Sequence, residues 1–255
     1  MLYKLDDYKS WLQSIKNLSF NTYFAEAVLE NKANGTVLVD NNQSLIYILH
    51  SYGMSLFYAK DADNKTANEA IKYLKRRVVK TDEYLQLYPF NLVDEFKIIY
   101  GNRIEENIRV NFKFDRELFN KQKPVLNDLH IGEFDGELFN KFTGSVIPLN
   151  FWRNADDFMH FSKGYYCLID NQIASVAFGS FADDNMLEIG IETNPIFRGR
   201  GLAEIVCRKL IEYSLDHGKE PVWSCRKGNM ASYKLAAKVG FIPTLELPYL
   251  HIKNF

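Results

Sequence analysis

The chain has 255 residues, room for one large domain or two of about 100–150 residues. With 47% hydrophobic and 25% charged residues it can build a sizeable core, which argues against disorder. Net charge is −1 and hides no asymmetry: residues 1–125 carry 18 Lys/Arg against 16 Asp/Glu, and residues 126–255 carry 13 against 16. Neither half has the basic excess that a phosphate backbone demands, so nucleic acid is not an expected partner.

In chain order, Leu5 to about Leu29 is patterned as helix after a charged opening that does not read as a signal peptide. Thr36–Asp40, Leu45–Leu49 and Met54–Ala59 alternate as three strands separated by turn residues. Thr66–Val79 is helical, Leu85–Tyr88 is a short strand stopped by Pro89, and Asn91–Tyr100 is helical again. Helical patterning from about Glu133 to Phe161 then precedes a second run of the same order. Tyr165–Ile169, Ile173–Phe181 and Met186–Thr193 are strands, Leu202–His217 a helix ended by Gly218, and Val222–Cys225 a strand. Asn229 caps a last helix that Gly240 ends.

Two halves with one element order predict a tandem α/β (α+β) arrangement, each half a mixed, mostly antiparallel sheet with flanking helices. The division is expected near Lys121–Pro124, giving domains 1–123 and 124–255. Phe114–Lys121 and Phe134–Lys141 differ only at Arg116 against Gly136; this repeat is read as an amphipathic coincidence rather than a functional unit. Cys167, Cys207 and Cys225 fit a reducing compartment and buried apolar roles. The five histidines lack ligand spacing, so no metal is expected. No stretch approaches the roughly 18 apolar residues of a membrane span, and a cytoplasmic protein without a membrane partner is expected.

The chemistry concentrates where the strand ending at Thr193 runs through Asn194–Phe197 into Arg198-Gly199-Arg200-Gly201-Leu202-Ala203 and opens a long helix. The first turn of a helix leaves amide N–H groups unpaired at the positive end of the peptide dipoles, a ready anion site. Glycine removes side chains that would hold a diphosphate away, and Arg198 and Arg200 add donors. A dinucleotide fold would need a third glycine and a parallel unit, and a P-loop would need Gly-Lys-Ser/Thr; neither is present.

Arg198-x-x-Gly201-x-Ala203, with Pro195 upstream and the Asn229 helix ending in Gly240-Phe241, resembles the two signatures of the GNAT superfamily of acyl-CoA N-acyltransferases. Together with Glu188–Thr193 and Trp223-Ser224-Cys225, the pattern is similar to the subgroup containing the zwittermicin A resistance acetyltransferase. The resemblance implies a slot beside Ile191, Glu192 and Thr193 for pantetheine and a diphosphate seat on Gly199, Arg200, Gly201, Leu202 and Ala203, with Arg198 at its edge. It also implies that Asn229 helps orient the pantetheine arm, and that a backbone N–H near Ile191 stabilises the oxyanion. Arg226 and Lys227 are read either as contacts to the nucleotide or, with greater weight, as a solvated surface pair. The implied reaction transfers acetyl from acetyl-CoA to a primary amine of a small molecule by direct attack in a ternary complex. A CoA-binding sensor without turnover is the alternative.

Strand alternation puts Glu188, Gly190 and Glu192 on one face, so two carboxylates are candidates for the base; Glu192 ranks first and Glu188 second. Their competing reading is as ordinary solvent-facing strand residues. Where many GNAT enzymes place a tyrosine as general acid, this chain has Ala236, with Tyr233 one turn earlier. The first half has no glycine after its third strand, and Asp61 and Asp63 there would repel a diphosphate. That half is expected not to bind CoA, and to shape the acceptor site or mediate homodimerisation. Lys72, Lys75, Arg76 and Lys80 are read as a solvated basic face.

Overall fold

The computed structural model describes residues 2–4, 9–60, 63–77, 81–121 and 129–253. The chain forms two compact units: Met1–Val110 with Arg226–Gly228 and Glu246–Phe255, and Asn111–Cys225 with Asn229–Leu245. The expected cut at 123/124 falls among residues 122–128, outside the described ones. The changeover observed on the ascending chain is at Val110/Asn111, and the C-terminal strand returns to the first unit.

The first unit starts with β1 (Leu2–Lys4), α1 (Lys9–Lys16) and α2 (Tyr23–Leu29). The single helix expected over this stretch is thus two, and residues 5–8 lie outside the described ones. The break has a local cause. Asn21 Oδ1 accepts the Tyr23 amide at 3.1 Å and the Thr22 hydroxyl donates to Glu26 Oε1 at 2.8 Å. The Asn21 bond is a local side-chain–backbone turn that competes with a continuing helix, although Thr22 itself makes no side-chain cap.

An antiparallel meander follows: β2 (Gly35–Asp40), β3 (Leu45–His50) and β4 (Met54–Ala59). Helix α3 (Asn64–Arg76) crosses over to β5 (Glu83–Tyr88), which lies parallel to β4. After a 3-10 turn comes α4 (Val93–Tyr100), and then β6 (Ile104–Phe114), a strand the sequence did not announce. The hydrogen-bonded strand order is β1-β2-β3-β4-β5-β12, where β12 (Phe241–Ile252) sets Leu250 opposite Leu85. Leu45, Tyr47, Phe57, Leu85 and Leu87 on one sheet face pack with Ile71 and Leu74 of α3 and Phe96 of α4. Val78, Val79 and Lys80 lie outside the described residues, as does Asp61.

The second unit opens with α5 (Arg116–Lys121), β7 (His130–Glu133), α6 (Gly136–Lys141), α7 (Pro148–Phe151) and α8 (Ala155–Phe161). One helical region was expected from about Glu133; three short helices stand there instead, α6 and α8 with side-chain caps. The literal repeat proves to be one local device used twice. Asp115 Oδ1 accepts the Leu118 amide at 3.0 Å and Asp135 Oδ1 accepts the Leu138 amide at 2.8 Å, each capping a six-residue helix with a buried phenylalanine, Phe119 or Phe139.

The meander of the first unit then recurs as β8 (Gly164–Ile169), β9 (Gln172–Ala182) and β10 (Met186–Thr193). Helix α9 (Leu202–Asp216) crosses to β11 (Glu220–Arg226), which runs parallel to β10, and α10 (Met230–Lys238) leads into β12. Strand order is β11-β10-β9-β8-β7. The two units therefore repeat one plan: meander, crossover helix, parallel strand. Trp152, Phe158, Phe134, Phe139 and Phe178 form a buried aromatic core here, with Trp152 Nε1 donating to Gly179 O at 2.7 Å.

Candidate active site

Strands β10 and β11 pair over Met186↔Glu220, Leu187↔Pro221 and Glu188↔Val222, and registered pairing ends there. Both strands continue, β10 to Thr193 and β11 to Arg226. On its other side β10 stays in register with β9 as far as Thr193↔Ser175. The sheet thus forks between β10 and β11. A cause lies at the branch point: Glu188 faces Phe181 and Ile189 faces Gly179, so Ser180 is an extra residue in β9. A bulge sharpens local twist and re-aims the strand. The Ser180 hydroxyl donates to Glu188 O at 3.2 Å and fixes the irregularity in place.

Glu188 sits at the branch point, 9% exposed, and its Oε1 accepts the Ser224 hydroxyl of β11 at 2.9 Å. Gly190 follows on the same face, and only glycine fits there: a Cβ would stand 2.7 Å from Phe178 Cζ. Glu192 comes next, at the open end. Its Oε2 accepts the Ser145 hydroxyl at 2.7 Å and the Val146 amide at 2.9 Å, while its Oε1 lies 3.6 Å from Arg198 Nη2. The Ser175 hydroxyl bonds Glu192 O at 3.2 Å and Thr193 Oγ1 at 2.8 Å, holding this end of β10 to β9. Ile191 and Thr193 are half-buried along the fork.

Beyond Thr193, Asn194 Oδ1 accepts the Ile196 amide at 3.2 Å and Pro195 opens a 3-10 turn, its ring presetting φ. Arg198 Nε donates to Thr193 O at 3.1 Å, and Arg200 stands 5.4 Å over the buried Phe197 ring. Gly199 and Gly201 have φ of +79° and +78°, and a Cβ on either would meet nothing within 4 Å. Gly201 occupies the N-cap of α9, and no side chain caps that helix. The first-turn amides, those of Leu202 and Ala203 among them, therefore face an open approach with two guanidinium groups nearby. An anion of diphosphate size suits this seat.

The equivalent places in the first unit differ. Strands β4 and β5 pair without interruption from Met54↔Tyr84 to Tyr58↔Tyr88. The N-terminus of α3 is capped by a carboxylate of its own, Asp63 Oδ1 accepting the Thr66 amide at 2.7 Å. At these places the first unit shows neither a fork between β4 and β5 nor an uncapped start to α3.

The remaining expected residues are also placed. Asn229 caps α10, its Oδ1 accepting the Ser232 amide at 3.2 Å, which leaves the side-chain NH2 as its donor. Ala236 is fully buried and Tyr233 is half-buried, edge-on to Phe112 at 5.3 Å. Within the first unit, Arg226 donates to Tyr84 Oη at 3.0 Å and Lys227 pairs with Glu246 at 2.7 Å. All three cysteines are free and buried, and burial pushes the Cys207 thiol far up, which keeps it protonated. Among the described residues no group of three or more His, Cys, Asp or Glu side chains is placed to hold a metal ion, and no helix is long and apolar enough to cross a membrane. Sequence reasoning quoted Ser224 only within Trp223-Ser224-Cys225, without a role, and did not single out Ser180 or the Ser145–Val146 segment; isolated serines carry no spacing signal.

A model of the GNAT acetyltransferase family matches residues 14–249. Among curated proteins, the chain is 24% identical over 241 residues to the uncharacterized N-acetyltransferase YdfB of Bacillus subtilis, covering 91% of this chain and 92% of that one. Among solved structures it resembles a GCN5-related N-acetyltransferase-like protein from Streptococcus suis, with TM-score 0.75, 19% identity and 96% and 99% of the two chains covered. It also resembles a tandem GNAT protein from the clavulanic acid biosynthesis pathway, with TM-score 0.64, 10% identity and 98% and 97% covered. These likenesses agree with the repeated meander–helix–strand plan, and the family model spans both units: the chain belongs to the GNAT acetyltransferase family.

Proposed function

We propose that the protein transfers the acetyl group of acetyl-CoA to a primary amine of a small molecule, by direct attack within a ternary complex. The observation that carries this reading is the convergence at one end of β10 of a forked sheet edge and an uncapped helix N-terminus flanked by Arg198 and Arg200. The fork offers the backbone of Ile191, Glu192 and Thr193 to the amides of pantetheine, as a missing strand would. The amides of Gly199 to Ala203 receive the diphosphate, and the Asn229 NH2 reaches the pantetheine arm. The first unit, with its continuous β4–β5 pairing and self-capped α3, carries no second acetyl-CoA site. The likeness to the zwittermicin A resistance subgroup favours a small amino-containing acceptor.

The acceptor must lose a proton, since a free alkylamine has a pKa of about 10.4 and attack needs the neutral form. Glu188 takes that proton, directly or through one water. It stands at the branch point, where the Ser224 hydroxyl donates to Oε1 and orients its carboxylate. Glu192, ranked first on sequence, has Oε2 engaged by Ser145 and Val146 and Oε1 facing Arg198, so taking a proton on Oε1 would forfeit the Arg198 ion pair. The Ile191 amide meets the developing oxyanion. Ala236 offers no hydroxyl, so the CoA thiolate takes its proton from solvent. Release of free CoA thiol from acetyl-CoA with a panel of small amines tests the reading. The wild type should turn over at least one amine, and Glu188→Gln should lower kcat by about 10²–10⁴-fold. A Glu188→Gln enzyme at the wild-type rate would remove the base from this account.

A further inference from the structure

We propose that Glu192 is a positioning residue that latches the Gly144–Val146 segment onto the open end of β10, and thereby sets the wall against which the acceptor amine is held. The inference rests on the acetyltransferase reading above for its acceptor, and on geometry alone for the latch. One carboxylate oxygen of Glu192 accepts both the Ser145 hydroxyl at 2.7 Å and the Val146 amide at 2.9 Å, across 47 and 46 residues of sequence. The segment is pressed close: a Cβ on Gly144 would lie 3.4 Å from Glu192 Cγ and 3.0 Å from Ile147 Cγ2. Asn150 closes the turn by donating to Ser145 O at 2.8 Å.

The far end of this segment is anchored on the same sheet face. Phe151 of α7 packs on Phe178 with ring centroids 5.7 Å apart, and Phe178 is the ring that lies against Gly190. Residues 144–151 therefore run over the face that carries Glu188, Gly190 and Glu192. An amine delivered to Glu188 approaches from that face, with this segment beside it. At its rear, Glu192 meets Arg198 of the anion loop at 3.6 Å, so one side chain touches both the cosubstrate seat and the acceptor-side wall. A carboxylate is suited to this place because it accepts from two donors and a cation at once.

Two substitutions separate a latch from a base. Glu192→Gln keeps an oxygen for Ser145 and Val146; Glu192→Ala removes it. Amide hydrogen exchange at Val146, read without any ligand, should quicken about tenfold or more in Glu192→Ala and stay within about threefold of wild type in Glu192→Gln. With an amine found by thiol release, Glu192→Ala should raise the amine KM about tenfold at nearly unchanged kcat, and Glu192→Gln should restore it. Unchanged Val146 exchange in Glu192→Ala would overturn the latch. A Glu192→Gln enzyme as depleted in kcat as Glu192→Ala would make Glu192 the base instead. A wild type that neither binds acetyl-CoA nor releases thiol would sink the acetyltransferase reading, while the exchange measurement would still decide the latch.

Discussion

Gly201 and Gly218 stand at opposite ends of α9 in similar backbone conformations, with φ of +78° and +69°, and a Cβ on either would meet nothing within 4 Å. Replacing either with alanine therefore brings the left-handed penalty without a clash, about 1–2 kcal/mol. For a chain of this size that lowers Tm by roughly 2–8 °C in both variants. Acetyl-CoA separates them. At a hundredfold excess over Kd it adds about 2.7 kcal/mol to the wild type, a rise of roughly 5–10 °C. The Gly218→Ala methyl lies beyond the last turn of the helix and should leave that increment whole. On the proposed reading, the Gly201→Ala methyl stands in the diphosphate approach. If it weakens binding a hundredfold, the same ligand concentration leaves RT ln 2, about 0.4 kcal/mol. Thermal unfolding of the three proteins with and without acetyl-CoA reads all of this. Equal ligand increments in Gly201→Ala and Gly218→Ala would refute the placement of the diphosphate, and unchanged Tm values without ligand would refute the backbone argument.

Two further outcomes follow from the packing. Gly190→Ala puts a methyl 2.7 Å from the ring of fully buried Phe178, so it should cost about 1–3 kcal/mol in denaturant unfolding; a neutral result would mean that the ring yields freely. Asp40 accepts bonds from the amides of Asn42, Ser44 and Leu45 and from the Ser44 hydroxyl, at 2.7–3.2 Å. Burial alone would raise its pKa, but these donors, the Leu45 amide foremost, hold it below the ordinary value. Asp40→Ala should cost about 3 kcal/mol at neutral pH. A depressed folded pKa means that this contribution is present above the unfolded value of about 3.9 and is lost as pH falls through the folded one. The stability gap between wild type and Asp40→Ala should thus narrow on acidification below about pH 4, and parallel curves would contradict the assignment.

The conformation of the 198–203 loop and its neighbours was legible because its demands are local: Gly199 and Gly201 for positive φ, Pro195 for the 3-10 turn, Asn229 for the cap. The tandem plan was legible in hydrophobic alternation alone. Less visible was whatever depends on partners distant in sequence. The fork is a property of register, created where Ser180 bulges opposite Glu188, and a serine in an alternating strand gives no warning of that. Strand β12 contains Pro243 and Pro248, which argue against strand in a sequence, yet it spans Phe241–Ile252. Its return to the first unit explains why a single cut of the chain does not describe the two units. The ranking of Glu192 over Glu188 followed distance from the loop along one strand. The bonds from Ser145 and Val146 that occupy Glu192, and the one from Ser224 that orients Glu188, come from elsewhere in the chain.

Isothermal titration of the intact protein with acetyl-CoA tests the central claim most directly, because it counts sites as well as detecting them. One molecule bound per chain in the wild type, and none in Gly201→Glu, is the predicted result: the fork and loop of the second unit hold the cosubstrate, and the first unit does not. Two molecules per chain, undiminished binding in Gly201→Glu, or no heat in the wild type would contradict it.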